Sequence, residues 1–321
     1  MNMMSTCEPE SKLPVIEFNK TNSSPGTSSW KSTSDSVRRA LESYGCFVLV
    51  NEEMDLKLHE STFSLISEEL FNLPMETKKK HTSELPGFGY GGNYSVMPLF
   101  EYFGIEDGGT RDAVERFAAL MWPPPPHGHH KFCEILYSYC EVLSKLDERV
   151  MRMVTSSYGL ERYYEEALIK SSFYMTRLMK YHSPGEDKSN IGIIPHRDKS
   201  FLSVIGTNQV NGLEIQTPDD GQWIHFHPSP SKFIVIVGEA FTAWSNGRIY
   251  SPLHKVIARG IKEKYSIGVF SFVRGVLQVP HELVDDENPL KFKPFSNLEF
   301  LEYCKIGGPT MQGAIHTYCG I

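Results

Sequence analysis

The chain has 321 residues, of which 40% are hydrophobic and 22% are charged, and it carries a formal net charge of −7. A chain of this length and composition can bury a sizeable core as one compact unit. The acidic balance argues against a nucleic-acid partner and an anionic membrane, because both require a basic surface. We expect a small-molecule partner and a monomeric protein.

The start of the chain shows no targeting signal. Residues 1–11 lack the apolar core of a signal peptide, and no window approaches the roughly 18 consecutive apolar residues of a membrane span. We therefore expect no membrane association and a cytoplasmic location.

Helical patterns dominate the first half of the chain. Residues 19–36 are rich in Ser, Thr, Pro and Gly and are predicted to form a surface loop. Apolar residues at helical spacing predict helices over 34–44, 56–72 and 130–157.

After residue 171 the pattern changes to strands. Short runs rich in β-branched and aromatic residues alternate with Gly, Asn, Asp and Pro. The predicted strands cover 173–181, 201–206, 213–217, 223–227, 232–238, 254–258 and 265–273. Strands at this spacing indicate a barrel or a sandwich. Near the end, Ser296 and Glu299 have capping-box spacing and predict a short helix to about Cys304 that covers one side of the barrel.

A histidine and a carboxylate, His196 and Asp198, are separated by one residue, and His254 follows far downstream. Side chains two positions apart in a strand point the same way, so this pair can converge on one metal with a third ligand from an adjacent strand. Two imidazoles and one carboxylate form the facial triad that holds ferrous iron in non-haem oxygenases. A lone His-x-Asp pair usually means nothing, so its flanking sequence decides the interpretation.

Five other histidines could suggest a second metal site: His127, His129, His130, His225 and His227. The first three follow a four-proline run and are predicted to lie in a solvated turn. The last two alternate on one predicted strand, but no carboxylate accompanies them at the required spacing. We predict that neither group binds iron.

Six segments flank the His-Asp-His residues in a fixed order along nearly the whole chain. They are Leu13–Phe18, Tyr44–Phe47, Phe71–Pro74, Arg177–Tyr181, Ser245–Arg248 and Tyr265–Ile267. Together they resemble the plant 2-oxoglutarate- and Fe(II)-dependent dioxygenase family. The segments Pro25–Trp30 and Met179–Tyr181 look most like its AOP-like branch, which is named for glucosinolate side-chain dioxygenases.

This resemblance implies a fold and a domain organisation. We expect an α+β protein with a double-stranded β-helix core, a jelly-roll or cupin-like barrel, flanked by N-terminal helices and a C-terminal helix. The N-terminal dioxygenase region would cover 13–125, a long connecting helix 126–165, and the Fe(II)/2-oxoglutarate jelly-roll domain 166–321, all in one compact unit.

The resemblance also implies a reaction. Fe(II) would be held by His196, Asp198 and His254, with 2-oxoglutarate as co-substrate, O2 as oxidant and ascorbate as activator. The enzyme would hydroxylate a small plant specialised metabolite and release succinate and CO2.

The co-substrate site departs from the family pattern. Relatives usually anchor the distal carboxylate of 2-oxoglutarate with an Arg-x-Ser pair, whereas this chain has Lys264 and Ser266, with Tyr181 as the expected third contact. Lysine is a point donor and lacks the planar fork of arginine, so we expect retained but weaker binding. Met179 replaces an asparagine found in many relatives, which removes one polar contact near the other carboxylate.

Two residues are expected to contact the substrate. Alternation along the strand from Lys264 brings Phe270 to the inner face, where relatives stack aromatic rings on substrate. Arg177 also points inward by alternation and could meet an acidic or hydroxylated group, although both side chains could simply pack the barrel. Aromatic residues are expected near the entrance: Phe100, Tyr102 and Phe103.

Two other functions remain open at this point. One is hormone catabolism of the auxin type, because auxin-oxidising dioxygenases are neighbours of this branch. The other is a non-catalytic small-molecule-binding protein on the same scaffold, which Lys264 and Met179 favour and the intact His-Asp-His residues oppose.

Overall fold

Two facing β-sheets and a layer of helices make up the computed structural model, which describes residues 13–123, 129–184, 190–307 and 313–321. The strands are β1 (Val15–Phe18), β2 (Cys46–Asn51), β3 (Gly89–Tyr94), β4 (Met97–Glu106), β5 (Ser172–Tyr181), β6 (Ile191–His196), β7 (Leu202–Thr207), β8 (Leu213–Gln216), β9 (Trp223–His225), β10 (Lys232–Val237), β11 (His254–Ile257), β12 (Lys264–Val273), β13 (Val276–Leu277) and β14 (Phe295–Ser296). The helices are α1 (Ser28–Ser43), α2 (Leu56–Leu65), α3 (Met75–Lys78), α4 (Arg111–Met121), α5 (His129–Ser157), α6 (Glu161–Tyr163), α7 (Glu239–Trp244), α8 (Asn297–Gly307) and α9 (Ala314–Cys319).

The larger sheet has the strand order β1-β2-β10-β7-β12-β5-β4-β3, and the smaller sheet has the order β6-β11-β8-β9. Pairing is antiparallel throughout both sheets except between β1 and β2. The predicted α+β class with a jelly-roll core is confirmed. Within the described ranges the core consists of two separate sheets and does not close into a barrel.

Apolar side chains fill two layers. One cluster lies between the sheets and includes Met175, Met179, Ile215 and Phe270. The other lies between the larger sheet and the helices, where α5 buries the predicted apolar stripe along its length. All seven predicted strands correspond to observed strands, from β5 and from β7 through β12. Burial of the strands between the two apolar layers explains why these runs are rich in β-branched and aromatic residues.

The predicted surface loop over 19–36 is wrong for its second half. Helix α1 begins at Ser28, and the Thr27 side chain accepts a hydrogen bond from the backbone N–H of Trp30. The helix buries Trp30, Val37 and Leu41 and exposes its Ser- and Lys-rich face. The composition suggested a loop because small polar residues suit both an N-cap and the outer face of a helix.

The predicted histidine turn is wrong where it can be compared. His129 and His130 begin helix α5, whereas His127 lies outside the described residues.

Helix α8 starts as predicted, with the Ser296 hydroxyl accepting from the Glu299 backbone N–H, and it packs against β12. Strands β3 and β4 and helix α4 were not anticipated. No helix in the described ranges is long and apolar enough to cross a membrane.

Candidate metal centre and its two cavities

His196, Asp198 and His254 converge at one end of the smaller sheet. His196 is the last residue of β6, His254 is the first residue of β11, and the two are direct partners in the antiparallel pairing. Each imidazole Nε2 lies 3.6 Å from Oδ1 of Asp198, and the ring centroids are 4.2 Å apart. The structure thus brings the three candidate ligands together, with one histidine from each of two adjacent strands.

Asp198 lies beyond the end of β6, so strand alternation does not position its side chain. Its Oδ2 instead accepts a hydrogen bond of 2.7 Å from the hydroxyl of Ser203 in β7. Its backbone carbonyl accepts from the N–H of Glu239, at the start of α7. Contacts with the following strand β7 and with helix α7 therefore replace the geometry expected from the His-x-Asp spacing.

Hydrogen bonds also fix which nitrogen of each imidazole is free. His196 Nδ1 lies 2.9 Å from the Ile194 carbonyl, and His254 Nδ1 lies 3.2 Å from the Pro252 carbonyl, so both Nδ1 atoms donate. The Nε2 lone pairs then face the Asp198 carboxylate. Lone pairs that face one another at this separation repel unless a cation lies between them.

The charge states of these residues suit metal binding. Burial, with repulsion from His254, lowers the pKa of His196 to about 3, which keeps its imidazole neutral. Burial opposes ionisation of Asp198, but the adjacent imidazoles and the Ser203 hydroxyl outweigh it and hold the carboxyl pKa below its usual value. Among the described residues, these three form the one group of His, Cys, Asp or Glu that could hold a metal. The donor set fits Fe(II).

An inner cavity of about 470 Å³ lies between the two sheets beside these residues. All three candidate co-substrate residues line it, and Lys264 on β12 is paired in register with Tyr181 on β5. Its remaining walls include the apolar side chains of Met179, Leu213 and Val256. The cavity therefore has a polar end at Lys264, in addition to the candidate metal ligands that line it.

Lys264 is buried without a carboxylate partner among the described residues. Its Nζ donates a hydrogen bond of 2.8 Å to the Val210 carbonyl, and only 3% of the residue is exposed. Burial lowers its pKa to about 7. An anion entering the cavity would supply the missing counter-charge and restore the charged form.

Thr207 is a candidate residue that the sequence analysis missed. It lines the inner cavity opposite Ser266, and its buried Oγ1 has no hydrogen-bond partner in the part of the chain that the structure describes. It lies at the end of β7, on the face that also carries Ser203. Alternation along that strand could have pointed to it, but no motif marks a lone threonine.

An outer cavity of about 930 Å³ adjoins the inner cavity. His196, Asp198, Arg177 and Phe270 line both, so the candidate metal ligands lie where the two cavities meet. The two candidate substrate residues thus occupy the same junction.

The three aromatic residues expected at the entrance take different places. Phe100 stacks against Tyr102 and Tyr181, with centroids 5.3 Å apart in each pair, and supports the cavity wall from behind. Tyr102 stacks against the guanidinium of Arg177. Phe103 points to the opposite face and packs in the helix-side core, because adjacent residues of a strand face opposite ways.

Comparisons with known proteins agree with this architecture. Residues 172–273 match the model of the 2OG-Fe(II) oxygenase superfamily, and residues 13–125 match that of the N-terminal region of the non-haem dioxygenase in morphine synthesis. A probable 2-oxoglutarate-dependent dioxygenase, AOP1.2 of Arabidopsis thaliana, is 38% identical over 96% of this chain and 95% of its own length.

Solved structures of dioxygenases are also similar to this chain. A dioxygenase for auxin oxidation from Arabidopsis thaliana, in complex with 2-oxoglutarate, superimposes with a TM-score of 0.76 at 27% identity, covering 87% of this chain and 100% of that one. A dioxygenase for auxin oxidation from rice gives a TM-score of 0.80 at 25% identity, covering 97% and 100%.

Removing the Ser203 hydroxyl should weaken metal binding. In Ser203→Ala the Asp198 carboxylate loses the hydrogen bond that orients it, and loss of such a contact typically costs about tenfold to a hundredfold in metal affinity. Ser34→Ala, which removes another buried serine hydroxyl in α1, is the control and should leave the affinity unchanged. Calorimetric titration with Fe(II) under anaerobic conditions measures both; equal affinities in the two variants would contradict this role of Ser203.

Proposed function

Because this chain belongs to the 2OG-Fe(II) oxygenase superfamily, we propose that it hydroxylates a small plant specialised metabolite, with His196, Asp198 and His254 as the iron ligands. It is a 2-oxoglutarate-dependent dioxygenase that uses Fe(II) and 2-oxoglutarate. The observation that carries the residue assignment is the convergence of two imidazole Nε2 atoms on one buried carboxylate, at 3.6 Å from each.

Iron with bound 2-oxoglutarate supplies the oxidising power for C–H hydroxylation by O2, with release of succinate and CO2. The protein contributes ligand geometry and orientation. Ser203 and the backbone of Glu239 hold Asp198 in place. The Ile194 and Pro252 carbonyls hold the two imidazoles in the tautomer that leaves Nε2 free to bind a metal.

The polar end of the inner cavity is the proposed site for the distal carboxylate of 2-oxoglutarate. Lys264 supplies the charge, and three hydroxyls line the same cavity, those of Ser266, Thr207 and Tyr181. Among the described residues, the Tyr181 hydroxyl donates only to the thioether of Met179, at 3.5 Å. A thioether is a weak acceptor, so this hydroxyl is available to a carboxylate. These hydroxyls would offset part of the loss of the bidentate arginine.

Phe270 and Arg177 are the proposed substrate contacts. Both line the cavity junction next to the candidate iron ligands, where a substrate C–H bond must lie. The Phe270 ring offers an apolar surface, and the guanidinium of Arg177, 5.4 Å from that ring, offers hydrogen-bond donors. Together they would orient one end of the substrate against the metal centre.

Auxin-type hormone catabolism is the second candidate function. It is supported by the two dioxygenases for auxin oxidation, from Arabidopsis thaliana and rice, that superimpose on most of this chain. Their identities of 27% and 25% are lower than the 38% identity to the AOP1.2 relative, so we place specialised metabolism first. The assembled His-Asp-His group weighs against a non-catalytic binding protein.

Turnover of plant metabolites tests this function. Purified protein is incubated with Fe(II), ascorbate, 2-oxoglutarate and pooled plant metabolites that include indole-3-acetate, and succinate and substrate masses are followed by mass spectrometry. We expect a 2-oxoglutarate-dependent gain of one oxygen in a specialised metabolite, and none in His254→Ala. Oxidation of indole-3-acetate alone would favour hormone catabolism. Absence of both succinate and mass change, with iron bound, would favour the binding protein.

Binding of 2-oxoglutarate should depend on pH through Lys264. The dianion binds the charged form of Lys264, whose pKa is about 7. The positive charge is fully present well below pH 7 and is lost progressively as the pH rises through this value. The affinity should therefore fall by up to about tenfold between pH 7 and 8. In Lys264→Arg the guanidinium stays charged and this fall should disappear.

Anaerobic calorimetry with Fe(II)-loaded protein measures the affinity at each pH. Other groups that titrate near neutrality are common to both proteins, so the difference between the two pH profiles reports position 264. Parallel profiles would show that Lys264 does not anchor the co-substrate.

Thr207 should contribute to 2-oxoglutarate binding. Thr207→Val keeps the shape of the side chain and removes a hydroxyl that we expect to donate to a carboxylate, so the affinity should fall by about tenfold. Thr242→Val is the matched control, because Thr242 in α7 also has a buried Oγ1 without a partner but lies outside both cavities. If both variants bind 2-oxoglutarate like the unmodified protein, Thr207 only packs the cavity wall.

A further inference from the structure

The outer cavity is rich in positive charge. The basic side chains that line it are Arg177, Arg197, Lys199 and Lys305. Its one acidic lining residue in the described ranges is Asp198, a candidate iron ligand. A chain with a net charge of −7 thus gathers four basic side chains around one cavity. Such a cavity favours an anionic ligand.

Two of these cations already have carboxylate partners. Lys199 forms a salt bridge with the buried Glu239, and Lys305 lies 3.6 Å from Glu302. Neither arginine has a carboxylate within salt-bridge distance among the described residues. Arg197 contacts the hydroxyl and ring of Tyr250. The uncompensated charge of the cavity therefore belongs to Arg177 and Arg197.

Two aromatic rings and a backbone carbonyl fix the position of the Arg177 side chain. Its guanidinium lies 4.7 Å from the centroid of the Tyr102 ring and 5.4 Å from that of Phe270, and one nitrogen donates to the Gly87 carbonyl at 2.9 Å. Gly87 has a φ of +81°, a backbone conformation that favours glycine, and a Cβ there would displace the same nitrogen.

One donor of the held guanidinium still lacks an acceptor. The Nε of Arg177 is buried and has no hydrogen-bond partner among the described residues. An unsatisfied buried donor on a charged group is costly, and a carboxylate matches the fork of a guanidinium with two parallel hydrogen bonds. Arg177 can therefore bind an oxyanion, which none of the described residues provides.

The distal carboxylate of 2-oxoglutarate is not that oxyanion. On β12, Lys264 pairs with Tyr181 and Gly268 pairs with Arg177, so the two cations are four residues apart along the strand. At about 3.3 Å per residue this separation is roughly 13 Å along the sheet. Arg177 lines both cavities next to Phe270, and apolar side chains of the outer cavity would take the body of a second ligand.

We infer that the substrate is a small carboxylic acid with an apolar body, whose carboxylate binds Arg177 while Arg197 adds to the attraction. The body would lie against Phe270, Phe272 and Leu301 in the outer cavity, beside the candidate iron ligands. This inference rests on the proposed function, because it names the substrate class of the same site.

Matched acids and amides test the inference, since a primary amide keeps the shape of a carboxylate and removes its charge. Protein loaded with Fe(II) and 2-oxoglutarate under anaerobic conditions is titrated calorimetrically with indole-3-acetate, 4-coumarate and octanoate, and with the primary amide of each. We expect at least one acid to bind about tenfold or more tightly than its amide.

Three variants assign this selectivity. Arg177→Gln should bring the acid-to-amide ratio close to one, and Arg177→Lys should retain part of it, while both bind 2-oxoglutarate normally. Arg274→Gln is the control and should keep the ratio, because Arg274 also stacks on an aromatic ring, that of Phe173 at 4.0 Å, but already pairs with Asp107 at 3.1 Å.

Each contrary outcome has one meaning. If no probe binds, or if amides bind as tightly as acids, while 2-oxoglutarate binds normally, the inference is overturned and the proposed function stands. If Arg177→Gln loses 2-oxoglutarate affinity instead of acid selectivity, Arg177 belongs to the co-substrate site and the inference is also overturned. If 2-oxoglutarate does not bind the unmodified protein, the proposed function fails as well.

Discussion

The pairing of β6 with β11 is the constraint on which the candidate site depends. It sets His196 opposite His254, and it turns both Nε2 atoms toward the same carboxylate. A register shift of one residue would turn one imidazole to the other face of the sheet and separate the pair. The backbone carbonyls of Ile194 and Pro252, each two residues before its histidine, then fix the ring tautomers.

The position of this group between two cavities separates two tasks. The inner cavity ends at Lys264, Ser266 and Thr207, which suit the carboxylate of a small dianion. The outer cavity has aromatic walls and basic side chains, which suit a different ligand. Because two of the candidate iron ligands, His196 and Asp198, line both cavities, a co-substrate and a substrate would approach the metal centre from different sides.

Two long neighbouring strands, β5 and β12, carry most of this arrangement. Alternate residues on their inner faces run from Tyr181 and Lys264 at one end, past Arg177, to Phe270 at the other. The same periodicity that buries one face of the sheet against the helices therefore orders the polar and aromatic residues along the other face. Residues at the Phe270 end of these strands can therefore differ, and with them the substrate, while the residues at the Lys264 end stay the same.

The sequence by itself determined seven strands after residue 171 and the inward face of β12, because period-two alternation depends only on local spacing. The His-x-Asp motif, together with the collinear segments that flank it, indicated the three candidate iron ligands. It also identified the family. Tertiary structure alone decided how Asp198 is positioned, since Ser203 and Glu239 reach it from other segments. The Thr207 hydroxyl and the Nε of Arg177, both without a hydrogen-bond partner among the described residues, are likewise visible only in three dimensions. Whether a buried donor has a partner depends on contacts between segments distant in sequence, and no local pattern encodes them.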